Sequence, residues 1–305
     1  MLTEQLKKMS EEETKTITAI SMYDLLARDF PPRKNLLDPW LPEQGIAMVH
    51  AYRGVGKTQV SVGIAVAVAT GGSFLKWKAP RPAGLVFVDG EMPGALLQDR
   101  FSQAVAISDG QGEASTNIVT PDLQEYGIPD LATPEGQAQL EAVITPETKL
   151  VIVDNISTVC RSARENKGDA WLPVQEWALR MRSRGISVLL IHHDGKGGGQ
   201  RGTSRREDVL DTVIQLRHPT DYQAEQGAMF EVHFNKTRGL FGDDVKPFEA
   251  QLTTNGWVTR TIEDSKFEKV RCLLDDGYTQ RQIAEELGIS KGYVSKLVKK
   301  INAQK

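Results

Sequence analysis

Residues 51 to 58 read Ala-Tyr-Arg-Gly-Val-Gly-Lys-Thr, between an apolar run from Ile46 to His50 and a second apolar run that begins at Gln59. Backbone N–H groups at a helix start can wrap a triphosphate only where the chain turns tightly and comes close to it, which Gly54 and Gly56 permit. In a loop of this Walker A type, Lys57 reaches the β- and γ-phosphates and the Thr58 hydroxyl ligates Mg²⁺. Arg53, Gly54, Val55, Gly56, Lys57, Thr58 and Gln59 are therefore the expected nucleotide contacts, with ATP and Mg²⁺ as the expected ligands. Ala51 stands where glycine is usual, the one departure from the pattern.

Further chemistry lies downstream. Leu150 to Val153 end in Asp154, a carboxylate at the end of a buried strand that would hold Mg²⁺, unless it is merely a strand end. Leu85 to Val88 lead into Asp89-Gly90-Glu91. Glu91 is the candidate base that polarises the attacking water, the alternative being that Asp89 or Glu91 caps the following helix. His192 and His193 close an apolar strand before a glycine-rich stretch, where a polar side chain could sense the γ-phosphate or simply face solvent. Neither has Glu or Cys at metal-ligand spacing beside it. Lys236 and Arg238, two apart at another strand end, point to one side and could reach the triphosphate of a neighbouring subunit; as isolated residues they would be surface charges.

These residues need a scaffold. Strand-like and helix-like runs alternate: strands at Ile46 to His50, Leu85 to Asp89, Leu150 to Asp154 and Ser187 to His192, with helices at Lys57 to Ala69, Ala95 to Ile107 and Leu172 to Arg184. That order, with nearly continuous apolar strands, predicts an α/β fold whose parallel sheet is covered on both faces. Four further strands, Thr212 to Leu216, Met229 to Phe234, Phe248 to Thr253 and Trp257 to Thr261, read as antiparallel additions to one edge. Residues 1–30 read as a polar arm with a short helix near Met22 to Arg28, and the proline-containing stretch after it as an irregular lead-in. Residues 195–202 are too glycine-rich for a packed element.

The bulk numbers allow this and exclude other classes. A chain of 305 residues can bury one large core and carry a small second domain. A net charge of −3 confines any nucleic-acid contact to local basic patches. Cys160 and Cys272 are far apart, with neither disulfide-framework nor zinc spacing. With no signal peptide and no long apolar stretch, the expectation is a cytoplasmic protein without membrane contact.

Taken in order, Ala51 to Thr58, Glu91, Asp154, the His192-His193 pair and Lys236-Thr237-Arg238 resemble the RecA/DnaB-like ATPases, and most of all the single-domain plasmid RepA-type replicative helicases, over roughly residues 30–260. The resemblance implies a hexameric ring with ATP between subunits. Glu91 would be the catalytic carboxylate, Lys57 a second catalytic group, and Asp154 would serve Mg²⁺. Lys236 and Arg238 would come from the next subunit. Two channel loops, residues 157–170 and 195–204, would touch single-stranded DNA through Arg161, Arg164, Lys167, Lys196 and Arg201.

Residues 264–305 read as three short helices with helix-turn-helix spacing: Ala284 at the fifth position of the unit, Gly288 in the turn, Val294 and Leu297 apolar, and Ser290 as helix cap. This resembles resolvase-type and sigma-factor-type units, and it puts Lys291, Tyr293, Ser295, Lys296, Lys299 and Lys300 toward duplex DNA. A protein-contact module is the alternative. Two function classes follow: a ring-forming motor that moves along or unwinds DNA, and an ATP-switched DNA-binding regulator or loader. The domains expected are an arm (1–30), an ATPase core (31–261) and a DNA-binding unit (262–305).

Overall fold

The apolar runs are buried on both faces, and they become neighbouring strands of one nine-stranded sheet. The structure is a computed structural model, and it describes residues 18–161, 171–194 and 208–303. Two units can be separated, residues 1–33 and 34–305. The first holds α1 (Met22–Ala27), whose cap Ser21 accepts from the Asp24 N–H at 3.1 Å; Met22, Tyr23 and Leu26 are exposed.

The second unit holds the sheet. Its parallel strands are β3 (Ile46–Ala51), β6 (Gly84–Asp89), β7 (Thr116–Val119), β8 (Thr148–Asp154), β9 (Ser187–His193) and β10 (Thr212–Arg217). Antiparallel strands β11 (Met229–Thr237), β12 (Phe248–Thr253) and β13 (Gly256–Thr261) extend one edge, giving the order β13-β12-β11-β10-β3-β9-β8-β6-β7. One face packs on α2 (Lys57–Thr70) and α3 (Gly94–Ala106), the other on α6 (Leu172–Ser183). Shorter helices α4 (Pro134–Glu141) and α5 (Ile156–Val159) fill connections. Every residue of β3 and β6 is buried, as a strand covered on both faces requires.

Two expectations are corrected. Residues Thr212 to Leu216 pair antiparallel with β11 but parallel with β3, on the side of β3 away from β9, so the strand joins the parallel part of the sheet as well as its antiparallel edge. The proline-containing lead-in is not irregular throughout: β1 (Asn35–Leu37) and β2 (Leu41–Pro42) form a hairpin that buries Leu36, Leu37, Trp40 and Leu41. A second small hairpin, β4 (Ser73–Phe74) with β5 (Trp77–Lys78), brings Trp77 edge-on to Trp40 at 5.1 Å and to Phe248 at 5.8 Å.

Residues 262–302 form α7 (Ile262–Asp275), α8 (Gln280–Glu286) and α9 (Lys291–Asn302) around their own core of Val270, Ile283, Val294, Leu297 and Ile301. Thr279 and Ser290 cap α8 and α9. The bundle is tied to the sheet by polar contacts: Glu249 of β12, almost fully buried, accepts from the Ser265 hydroxyl at 2.7 Å and from Lys269 at 3.3 Å, and Lys269 also pairs with Asp221.

Gly63 shows how tightly α2 is seated. A Cβ there would lie 2.1 Å from the buried ring of Phe74. Gly63→Val is expected to lower stability by about 1–3 kcal/mol, the range for overpacking a core. The loss should shrink when the same change is made in a Phe74→Ala background; equal losses in both, measured by urea denaturation, would break the assignment.

Candidate nucleotide site

Pleat alternation decides which strand-end residues can meet. Leu85 and Phe87 of β6, Leu150 and Ile152 of β8, and Leu189 and Ile191 of β9 belong to the core under α2. Val86, Val88, Val151, Val153, Val188 and Leu190 belong to the core under α6. With side chains alternating at period two, Asp89, Asp154 and His193 fall on the α2 face, beside the loop that enters α2. His192 falls on the α6 face and is buried there, so the histidine pair divides: only His193 looks toward the loop.

The loop itself has the backbone its glycines allow. Gly54 and Gly56 have φ of 84° and 111°, a region other residues enter only at a cost. Gly56 is the N-cap of α2 and supplies no side chain to its first N–H groups, whereas Ser or Thr hydroxyls cap α4, α7, α8 and α9. The helix start is thus left for an anion. Arg53 is exposed at the loop tip. Val55 is buried in the α2 core. Lys57 is buried, and its ammonium group donates to the carbonyls of Ala51 at 3.1 Å and Tyr52 at 2.7 Å. Burial pulls its pKa below the ordinary lysine range, against the opposing pull of Asp154, Asp194 and Glu91.

Asp154 is held by Ser61, whose hydroxyl donates to Oδ2 at 2.7 Å, and by the Thr58 hydroxyl. Burial raises its pKa. A buried carboxylate beside two hydroxyls at the end of an anion-ready helix is an oxygen donor set suited to Mg²⁺, which would neutralise phosphate charge there. Ser61 was not visible as a site residue in the sequence, although it lies three residues after Thr58 on the same helical face.

Asp89 accepts from the Met92 N–H at 2.7 Å and so fixes the turn that carries Glu91. The helix-capping alternative is thereby divided: Asp89 holds the turn, Asp122 accepts from Gly94 at the start of α3, and the Glu91 carboxylate faces His193 Nε2 at 3.7 Å. Burial raises the Asp89 pKa to about 6. His193 Nε2 also lies 3.1 Å from the Asn155 amide, and burial, with the Lys57 charge, holds the ring below its ordinary pKa. A cavity of about 460 Å³ opens alongside α2, bordered by Gln59, Gly63, Gln103 and the β12–β13 hairpin.

Lys236 and Arg238 are elsewhere. Thr237 pairs with Thr212, which pairs with Ala47 near the start of β3, while the phosphate loop leaves from its end. At about 3.3 Å per residue, the basic pair lies roughly 10 Å or more back along the sheet from the loop. Both reach the Asp208 carbonyl. Arg161, expected on DNA, donates to the Ile128 carbonyl. Arg164, Lys167, Lys196 and Arg201 lie outside the described residues. Lys291, Lys296 and Lys299 are exposed on α9; Ser295 is half-buried, Tyr293 packs partly into the bundle core, and Lys300 pairs with Glu263 at 2.6 Å.

An open glycine loop before an uncapped helix, with buried Lys57 and Asp154 at its base on a mostly parallel sheet, defines a P-loop ATPase with a RecA-like core. Among solved structures, the KaiC-like protein PH0186 from the hyperthermophilic archaeon Pyrococcus horikoshii OT3 shares this fold, with a TM-score of 0.52 at 16% identity over 74% of this chain and 94% of that one. The profile of the family described as AAA domain matches residues 10–199, well over half of the chain, and the protein belongs to that family. No curated protein matches it. Among the described residues, no helix is long and apolar enough to cross a membrane, and no group of three or more His, Cys, Asp or Glu is placed to hold a metal.

Two outcomes are expected. Lys57→Ala should reduce ATP turnover by on the order of 100-fold or more, since it removes the charge expected to reach the phosphates; normal steady-state hydrolysis would refute the loop assignment. Asp89 gives a pH signature. Its folded pKa is raised, so between about pH 4 and 6 the folded state binds more protons than the unfolded one, and this group's contribution to stability falls as pH rises through that window. Asp89→Asn should flatten that component. Urea denaturation of wild type and variant at pH 4.5 and 7 tests it, and a constant difference between them would count against it.

Proposed function

We propose that the protein is an ATP-hydrolysing, ring-forming DNA translocase or helicase of the RepA type, serving replication of a plasmid or mobile element in the cytoplasm. The observation that carries this reading is the distance between the phosphate loop and the basic pair. Lys236 is level with Met48 and Thr237 with Ala47, back along the sheet from the end of β3 that leads to Lys57, which supports Lys236 and Arg238 serving a triphosphate bound by another copy of the chain. ATP binding between subunits, the hexamer and trans-acting Lys236 and Arg238 go together in this reading.

In each site Lys57, Gly54 and Gly56 hold the triphosphate, with Arg53, Val55 and Gln59 completing the loop. Thr58 and Asp154 hold Mg²⁺. Glu91 orients water, and His193, beside Glu91 and Asn155, registers the γ-phosphate. The cavity beside Gln59 takes the base; its volume falls in the range of small-molecule sites. Single-stranded DNA is contacted by residues 157–170 and 195–204, which include Arg164, Lys167, Lys196 and Arg201. Residues 31–261 act as the motor core. Residues 262–305 act as a helix-turn-helix that docks duplex DNA through Lys291, Lys296 and Lys299, a reading supported by the capped α8 and α9, the Gly288 turn at φ 59° and the row of exposed lysines.

The test is steady-state ATP hydrolysis with and without single-stranded DNA, with oligomeric mass in each nucleotide state. Strong stimulation in a nucleotide-stabilised ring is expected. Slow, DNA-indifferent turnover would instead favour an ATP-switched regulator or loader. Arg238→Ala should bind ATP but not hydrolyse it, and mixing it with Asp154→Asn subunits should restore part of the activity; no restoration would mean that each chain completes its own site. Truncation after Thr261 should weaken duplex binding while hydrolysis persists.

A further inference from the structure

One polar group in the sheet is used by none of this chemistry. Every other position of β3 carries an apolar residue, yet His50 sits there at 1% exposure, immediately before the phosphate loop. Its Nδ1 lies 2.6 Å from Asp194 Oδ1, itself buried at the end of β9, and its Nε2 lies 3.2 Å from the amide nitrogen of Asn235 on β11. Carboxylate and amide roles fix the direction: Nδ1–H donates to Asp194, and Nε2 accepts from Asn235. A buried imidazole–carboxylate contact is costly to desolvate, and a well-packed apolar pair would serve stability as well or better.

The three residues join the three strands on which the proposed cycle depends. His50 lies on β3, next to Ala51, whose carbonyl accepts both from Lys57 Nζ and from the Asp194 N–H. Asp194 also acts electrostatically on Lys57. Asn235 directly precedes Lys236 and sits where the β10–β11 register shifts, between the pairs Ile214–Phe234 and Val213–Lys236. A bulge of this kind re-aims the side chains beside it. His50, with Met48 on the same strand, belongs to the α6 face, away from the phosphates, so it touches the nucleotide only through the strand it stands on.

We propose that His50 is a positioning residue which, through Asp194 and Asn235, ties the phosphate loop of a chain to the strand end that presents Lys236 and Arg238, so that occupancy of one site sets the basic pair offered to the next. This rests on the shared-site reading above. Direct contact with substrate is not required of His50; its effect is on where Lys236 and Arg238 stand.

The experiment places the change in the subunit that only donates the basic pair. Asp154→Asn subunits, inactive at their own site, are mixed with Arg238→Ala subunits, and hydrolysis in the mixture is compared with that obtained when the donor also carries His50→Phe. A drop of roughly 10-fold or more is expected from displacing a catalytic charge. ATP affinity of the donor should stay near that of Asp154→Asn alone, while His50→Phe lowers its melting temperature because it leaves the buried Asp194 carboxylate without its imidazole partner. Asn235→Leu in the donor, on the exposed side of the bridge, should give the same drop without touching the core, and combining it with His50→Phe should add little further. Unchanged activity with both donors overturns the inference while leaving shared sites intact. Absence of activity in the parent mixture overturns the shared-site reading, and this inference falls with it.

Discussion

A parallel strand covered on both faces has one freedom at its carboxyl end: whether its last side chain points to one helical layer or the other. In this protein the choice is made in common by neighbouring strands, because β6, β8 and β9 run in register and Asp89 is the direct partner of Asp154. The same period that puts Phe87, Ile152 and Ile191 under α2 delivers Asp89, Asp154 and His193 to the loop that starts α2. A one-residue slip in any of these strands would bury its apolar residues just as well and remove its functional group from the site. The turn after β6 depends on the same closeness: at Gly90 a Cβ would come within 2.2 Å of the Thr158 hydroxyl, so only glycine lets that turn press against α5 while carrying Glu91 forward.

That arrangement concentrates charge in a poorly solvated place. Asp89 and Asp154 are both pushed up by burial, and each also raises the other or is raised by a neighbouring carboxylate. Lys57 is pushed down by burial and held by two backbone carbonyls. Every one of these groups has a partner from the chain, Ser61 for Asp154 and the Met92 N–H for Asp89. The partners are weak beside a triphosphate and a divalent ion, which can replace them in a site already desolvated and oriented. Preorganisation of this kind is what phosphoryl transfer asks of a protein, since there is little covalent chemistry for it to do.

The residues legible in the sequence were those tied to strong local rules. Strands β3, β6, β8 and β9 announced themselves as unbroken apolar runs, α2 by what precedes it, and Ser290 as a cap by its distance from the apolar positions of α9. What escaped needed three-dimensional information. β7, an edge strand reading Thr-Asn-Ile-Val, has neither a long apolar run nor clean alternation, and β1 and β2 are too short and too close to prolines to show a period. The direction of β10 relative to β3 is set by the pairing of distant strands, not by its own residues. The two histidines looked equivalent in sequence and are separated only by the pleat. His50 gave no signal because a histidine in an apolar run reads as a tolerated core residue until Asp194 and Asn235, each far along the chain, are seen beside it.

The same topology constrains how copies of the chain could share a site. The phosphate loop leaves the end of β3 while the basic pair lies back along the sheet, so an interface that unites them across copies sets different residues against each other, either about a two-fold, where each contact occurs twice, or head to tail. Head-to-tail contact, the arrangement of the proposed function, repeats until it closes into a ring or continues as a filament. In the sheet, β11 with its basic end is followed outward by β12 and β13, and α7 is fastened to β12 through buried Glu249. The α7–α9 bundle is therefore fastened to the same edge group of strands, β11 to β13, that carries Lys236 and Arg238, although β12 pairs with Met229–Val232 and the basic pair lies at the other end of β11. Under the proposed function, whatever nucleotide does to the position of that edge is done also to the lysines of α9, which gives the motor and its docking unit a shared mechanical part without any further linkage.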